Sequence, residues 1–146
     1  MSTSPKDRSH KIIVQYELIK TDYMDLKVIG IRNAGESMER LLIRVVKDCN
    51  LRGYIIIDNT YDEKGTLLNV NRHIYVFPDV NAEEGDIIRV YTKKGINSTT
   101  KGSFGKESVL YRNFYWGFDK DITVWNKGGD TPFLLHYDEV EPDTFE

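Results

Sequence analysis

Period-two alternation of apolar residues restricts what this chain can fold into more than any other feature of its sequence. Short runs rich in Val, Ile, Leu and Tyr occupy 11–19, 26–31, 40–46, 54–58, 73–77, 86–92, 113–116, 122–125 and 133–137, and Gly, Asn, Asp and Pro divide them. In 40–46, Leu41, Ile43 and Val45 share one face while Arg40 and Arg44 take the other, because successive strand side chains point to opposite sides. The same spacing in 86–92 sends Ile88 and Val90 inward and Arg89 and Tyr91 outward. The run 54–58 is apolar up to Asp58, as expected of a strand covered on both faces. Helical periodicity is nearly absent between these runs. Together they predict an all-β antiparallel sandwich or barrel rather than parallel βαβ units. An α+β fold with one helix near 35–48 is the alternative, and the stretch Leu41-Leu42-Ile43-Arg44-Val45-Val46 is too β-branched to favour it.

Composition enters where it limits function. A length of 146 residues fits one domain. With 40% hydrophobic and 29% charged residues, the composition is that of a globular chain and not a disordered one. A formal net charge of −3 argues against a surface that attracts nucleic acid or anionic lipid everywhere, so any such contact is local. Residues 1–10 are polar and lack the apolar core of a signal peptide, and no apolar run reaches the roughly 20 residues a membrane span needs. The expectation is a cytoplasmic protein without membrane association. The single Cys49 cannot form an internal disulfide, in keeping with a reducing compartment, and cysteine-built metal sites are excluded. The organisation expected is a flexible segment 1–10, a β domain over 11–137 and an acidic tail 138–146.

Two stretches break the strand rhythm. The first, 93–110, holds Lys93-Lys94-Gly95, Ser98-Thr99-Thr100 and Gly102-Ser103-Phe104-Gly105-Lys106, and reads as a long mobile loop. From Arg89 to Arg112 there are six Lys or Arg and one Glu. This local excess, with Phe104, Tyr111 and Phe114 interleaved, makes Lys93, Lys94, Lys101, Phe104, Lys106 and Arg112 the candidate binding residues. The second stretch is the tail, where five of nine residues are acidic and none is basic.

Catalytic constellations fare poorly. His10, His73 and His136 lie in separate segments without metal-ligand spacing. Cys49 paired with His73 or His136 as nucleophile and base has no local support. Gly102-Ser103-Phe104-Gly105-Lys106-Glu107-Ser108 fails as a phosphate loop, since its first glycine is misplaced and Glu107 stands where Ser or Thr holds the metal. The carboxylates of 58–65 lack the spacing of a calcium loop, and Lys64 opposes a cation, so a hairpin turn is expected there. Gly53, Gly85, Gly128 and Gly129 are read as turn glycines and Asp130 as the cap of its turn. Trp116, Trp125 and Phe77 are read as core fillers whose indole nitrogens reach backbone carbonyls.

A resemblance emerges when the pieces are taken in order. Glu39-Arg40-Leu41-Leu42-Ile43, then Leu51-Arg52-Gly53-Tyr54-Ile55-Ile56-Ile57-Asp58, look like the E-x-v-x-i and L-x-G-w-x-l-x-D segments of lamin-tail domains. Tyr75-Val76-Phe77-Pro78, Glu84-Gly85-Asp86-Ile87-Ile88-Arg89-Val90-Tyr91 and Val124-Trp125-Asn126-Lys127-Gly128-Gly129-Asp130 resemble that family's later segments. The similarity covers about 39–137. It departs from the pattern at Val45-Val46-Lys47, where the family often has an asparagine, and in the short spacing from Glu39 to Leu51. Coiled-coil heptads are absent, so the likeness is to free-standing versions of the domain.

The resemblance implies an immunoglobulin-like antiparallel β-sandwich used as an interaction module, in lamins for protein and chromatin partners. The function expected is therefore a non-catalytic binding or scaffolding module of protein partners or of its own copies. A nucleic-acid-binding module using 93–112 is the alternative, and an enzyme of unrecognised type a second one. No cofactor or metal is expected.

Overall fold

The computed structural model describes residues 24–59, 64, 66, 73–119, 121–125 and 130–137, and the backbone of 12–14. The expected segments 1–10 and 138–146, the turn glycines Gly128 and Gly129, and most of the turn region 60–65 lie outside the described residues. Among the described residues there is no helix, and every regular element is a strand. These are β1 (Ile12–Val14), β2 (Leu26–Arg32), β3 (Arg40–Val45), β4 (Cys49–Asn50), β5 (Tyr54–Asn59), β6 (Ile74–Val76), β7 (Asn81–Ala82), β8 (Ile87–Lys93), β9 (Ser98–Phe104), β10 (Glu107–Phe118) and β11 (Thr131–Tyr137).

The strands form two principal sheets, a four-stranded one in the order β1-β11-β5-β6 and a five-stranded one in the order β2-β3-β8-β10-β9. A two-residue pairing of β4 with β7 closes one margin. All ladders are antiparallel except β8 with β10, which run parallel. One core lies between the sheets. Leu41, Ile43 and Val45 of β3, Ile88 and Val90 of β8 and Phe114 of β10 meet Tyr54 and Ile56 of β5, Tyr75 of β6, Leu134 of β11, and Phe77 and Trp125. The alternation read from the sequence thus selects the inner residues of β3 and β8, and burial of each large apolar side chain contributes about 1.5–3 kcal/mol. Gly53 takes a φ of 102° where the chain enters β5, and a Cβ there would sit 3.0 Å from the Tyr137 carbonyl oxygen. Only glycine allows this approach, in which the Tyr137 amide donates to Gly53 O at 2.9 Å.

Three expectations are corrected. Of the stretch 93–110 expected to be a long loop, 98–104 and 107–110 belong to the β-hairpin of β9 and β10, with Phe104 opposite Glu107 across a two-residue turn. Gly105 has a φ of 64° at the first turn position, the requirement of a type II′ hairpin. The strand was hidden because β9 is an edge whose residues are exposed up to Phe104, so no apolar alternation marks it. Conversely, 122–125 is no strand: Val124 and Trp125 spend their amides on a side chain, Glu39, instead of a ladder. Trp116 Nε1 does reach a carbonyl, that of Ile74 at 3.0 Å, but Trp125 Nε1 is buried with no acceptor among the described residues.

Candidate functional site

Glu39 immediately precedes β3 and is fully buried. Its carboxylate accepts the Gly35 amide on Oε1 (2.9 Å), and on Oε2 the Thr92 hydroxyl (2.5 Å) and the amides of Val124 (2.6 Å) and Trp125 (3.2 Å). Four donors from three segments converge on one side chain, which satisfies a fully buried carboxylate. This is architecture: it fastens the segment before β11 to the five-stranded sheet.

Asp58 is likewise buried. Its Oδ1 accepts the His73 amide at 2.7 Å and its Oδ2 lies 3.0 Å from His73 Nδ1, while the edges and faces of Trp116 and Phe118 enclose the imidazole. The pair locks β5 to the residue before β6. His136 instead stacks on Tyr54, with centroids 4.2 Å apart. The Cys49 thiol is pushed up to about 11 by burial, then by the charges of Asp25 and Asp48, so at neutral pH it is not the thiolate a nucleophile requires. Among the described residues no group of three or more His, Cys, Asp or Glu could hold a metal ion. No helix there is long and apolar enough to cross a membrane.

The chemistry with reach lies on the outer faces of the sheets. Cross-strand register arranges the outer face of the five-stranded sheet in rows: Arg32, Arg40, Tyr91, Tyr115; then Gly30, Leu42, Arg89, Asn113, Ser98; then Lys27, Arg44, Ile87, Tyr111, Thr100. A register shift in β2 between Val28 and Gly30 is what brings both Lys27 and Arg32 onto this face. Arg89 lies 3.8 Å from the Tyr111 ring centroid and donates from Nε to Asn113 Oδ1 at 2.7 Å. Arg40, Arg89 and Lys93 all approach the Tyr91 ring within 5.9 Å, Tyr115 stacks on that ring at 5.0 Å, and Arg44 lies over Phe104. Gly95 is required at this stack, since a Cβ there would run into the Tyr115 ring.

The candidate binding residues do not form one cluster. Lys93 and Phe104 join the outer face just described. Lys94 is ion-paired with Asp119 at 2.9 Å, and Arg112 with the buried Asp86 at 2.6 Å. Lys101 pairs with Leu110 on the opposite side of the hairpin, and Lys106 stands in its turn. Sequence reasoning missed Lys27, Arg32, Arg40 and Arg44 as members of a basic site. Alternation turned Arg40, Arg44 and Arg89 outward, but which strands are neighbours is not written in any one of them.

The four-stranded sheet has a different outer face. Ile55 stands between Val76 and Leu135, and Ile57 between Ile74 and Phe133. Ile74 and Val76 on the edge strand are 56% and 55% exposed, and the four behind them are half-buried. These six positions carry no charge. Comparison with protein-family models, with curated proteins and with solved structures finds no match to this chain.

Proposed function

We propose that the chain is a non-catalytic interaction module of the lamin-tail-like, immunoglobulin-like kind, and that it docks protein through the outer face of the four-stranded sheet. The observation that carries this reading is the uncharged face of Ile55, Ile57, Ile74, Val76, Phe133 and Leu135, open at its edge. Exposed contiguous apolar surface of this kind is characteristic of interaction sites. A second copy of the chain suits it best: an isologous contact sets each patch against itself, and an uncharged patch does so without repulsion. The cationic face of the other sheet would repel its own copy. The indole of Trp116, bonded to the Ile74 carbonyl, occupies the β6 edge, which favours docking across the face over addition of a strand.

Sedimentation over a range of protein concentrations tests this. The wild-type chain is expected to pass from monomer to dimer, with association unchanged or strengthened by salt. Ile74→Lys with Val76→Lys should remain monomeric at least tenfold higher in concentration, while thermal stability changes by less than about 1 kcal/mol, because both side chains are already half in water. A monomer at every concentration, or a double variant that associates like the wild type, would refute the reading.

A further inference from the structure

The outer face of the five-stranded sheet contains an arrangement that is unfavourable for stability alone. Arg32 stands directly opposite Arg40, and Lys27 directly opposite Arg44, in one ladder. Like charges facing each other across strands are destabilising, and alternating signs would relieve them. Among the described residues only Glu107 answers these cations, reaching Arg44 at 3.5 Å from a side chain that is itself 65% exposed. Among the described residues Arg40 and Arg89 have no carboxylate partner and are held over tyrosine rings instead, and Arg40 Nε is buried without an acceptor. Among the described residues the face has donors and positive charge in surplus and lacks the anion that would balance them.

We propose that this face binds single-stranded nucleic acid, with Lys27, Arg32, Arg40 and Arg44 neutralising phosphates while Arg89 and Tyr115 present planar groups to unpaired bases. Charge complementarity selects a polyanion. The interleaved rings select this one: guanidinium planes and aromatic rings stack on exposed bases, whereas an acidic peptide has no use for them. The spread of the charges agrees, because β2, β3 and β8 carry them side by side across about 10 Å of sheet and the rings of β8 and β10 continue the surface beyond them, a layout suited to an extended strand. Asn113, donating to Ser98 Oγ and Thr100 Oγ1, extends the polar surface to the far edge. The site does not depend on the self-docking face and can fail or succeed separately from it.

The test is fluorescence anisotropy of the full chain with labelled oligo-dT and oligo-U of about 20 nucleotides, titrated with salt. Binding is expected in the range of roughly 1–100 μM at low salt, with a slope of log K against log salt approaching about −3 for four phosphates. Lys27→Glu with Arg32→Glu should weaken binding at least tenfold and leave thermal stability equal or higher, since each like-charge pair becomes an opposite-charge pair. Should that variant fold poorly, Lys27→Gln with Arg32→Gln provides the same comparison. Lys101→Glu with Lys106→Glu, off this face, should change affinity by less than about twofold. No binding at low salt, equal affinity for duplex of the same length, equal competition by polyglutamate, or full affinity in the Lys27/Arg32 variants would overturn the proposal.

Discussion

On the outer side of the five-stranded sheet, nearly every position from β3 to β10 is occupied by a group that engages its neighbour. Arg40, Arg89 and Lys93 lie around Tyr91, Tyr115 stacks on it, and Arg89 links Tyr111 to Asn113. On the outer side of the four-stranded sheet, Ile55, Ile57, Phe133 and Leu135 lead to the open side chains of Ile74 and Val76 with no polar group among them. The same strand alternation produces both, and the inner faces of the two sheets are interchangeable in character. The contrast therefore lies in residue choice at positions the fold does not dictate. The exposed outer-face positions, such as Lys27, Arg32, Ile74 and Val76, tolerate many side chains, so two opposite solutions on one small sandwich point to two different demands from outside.

The largest expected effect removes the contrast altogether. Glu39→Ala strips the common acceptor from Gly35, Thr92, Val124 and Trp125. Each buried donor left unsatisfied costs about 1–3 kcal/mol, so a loss of about 4 kcal/mol or more is expected, measurable by denaturant or thermal unfolding. Both faces should lose their binding together. If only one face failed, Glu39 would belong to that face's site and not to the frame, and the division between frame and faces would have to be redrawn.

A smaller effect should separate the faces. Gly95→Ala places a methyl group against the Tyr115 ring and must push that ring off Tyr91. Overpacking of this kind costs about 1–3 kcal/mol. The expected outcome is a modest drop in melting temperature with weaker binding of the anionic ligand and unaltered self-association. Altered sedimentation in this variant would mean that the two faces communicate through the core.

How much of this was legible beforehand follows the same division. The inner residues Leu41, Ile43, Val45, Ile88 and Val90 were readable because burial enforces a period of two. The β9 strand was not, because an exposed edge has no such requirement, and β4 and β7 are too short, at two residues each, to show any pattern. Glu39 stands out in the sequence only as part of a resemblance. Two of its four partners are backbone amides 85 and 86 residues away, and an amide carries no sequence signal. The cationic face needed the register of five strands and the shift in β2, neither of which local composition encodes. Clustering of lysines along the chain therefore selected Lys94, Lys101, Lys106 and Arg112, which the folded sheet distributes to an ion pair, the opposite side of the hairpin, its turn and a buried carboxylate.

The smallest effect expected is a dependence on alkaline pH that arises from the side of the four-stranded sheet. Burial raises Tyr75 to about 12, and burial raises Tyr54 further still, only partly offset by the hydrogen bond its hydroxyl accepts from the Asp25 amide. Cys49, beside this margin, is raised to about 11. Each group holds its proton more tightly folded than unfolded, so above the ordinary thiol and phenol values the unfolded chain has fewer bound protons and stability falls as pH rises. Below about pH 7.5 all three are protonated in both states and contribute no pH dependence. As far as these groups are concerned, melting temperature should therefore be level up to about pH 7.5, ease downward through pH 9 as the unfolded thiol ionises, and then decline by a few degrees in all toward pH 11. Tyr75→Phe should flatten the upper part of that decline. A profile that stays level to pH 11 would mean that Tyr54 and Tyr75 ionise as freely inside the sandwich as outside it. The inner side of this sheet would then be as wet as its outer side, and the case for the aliphatic face as the place where water must be excluded by a partner would lose its physical basis.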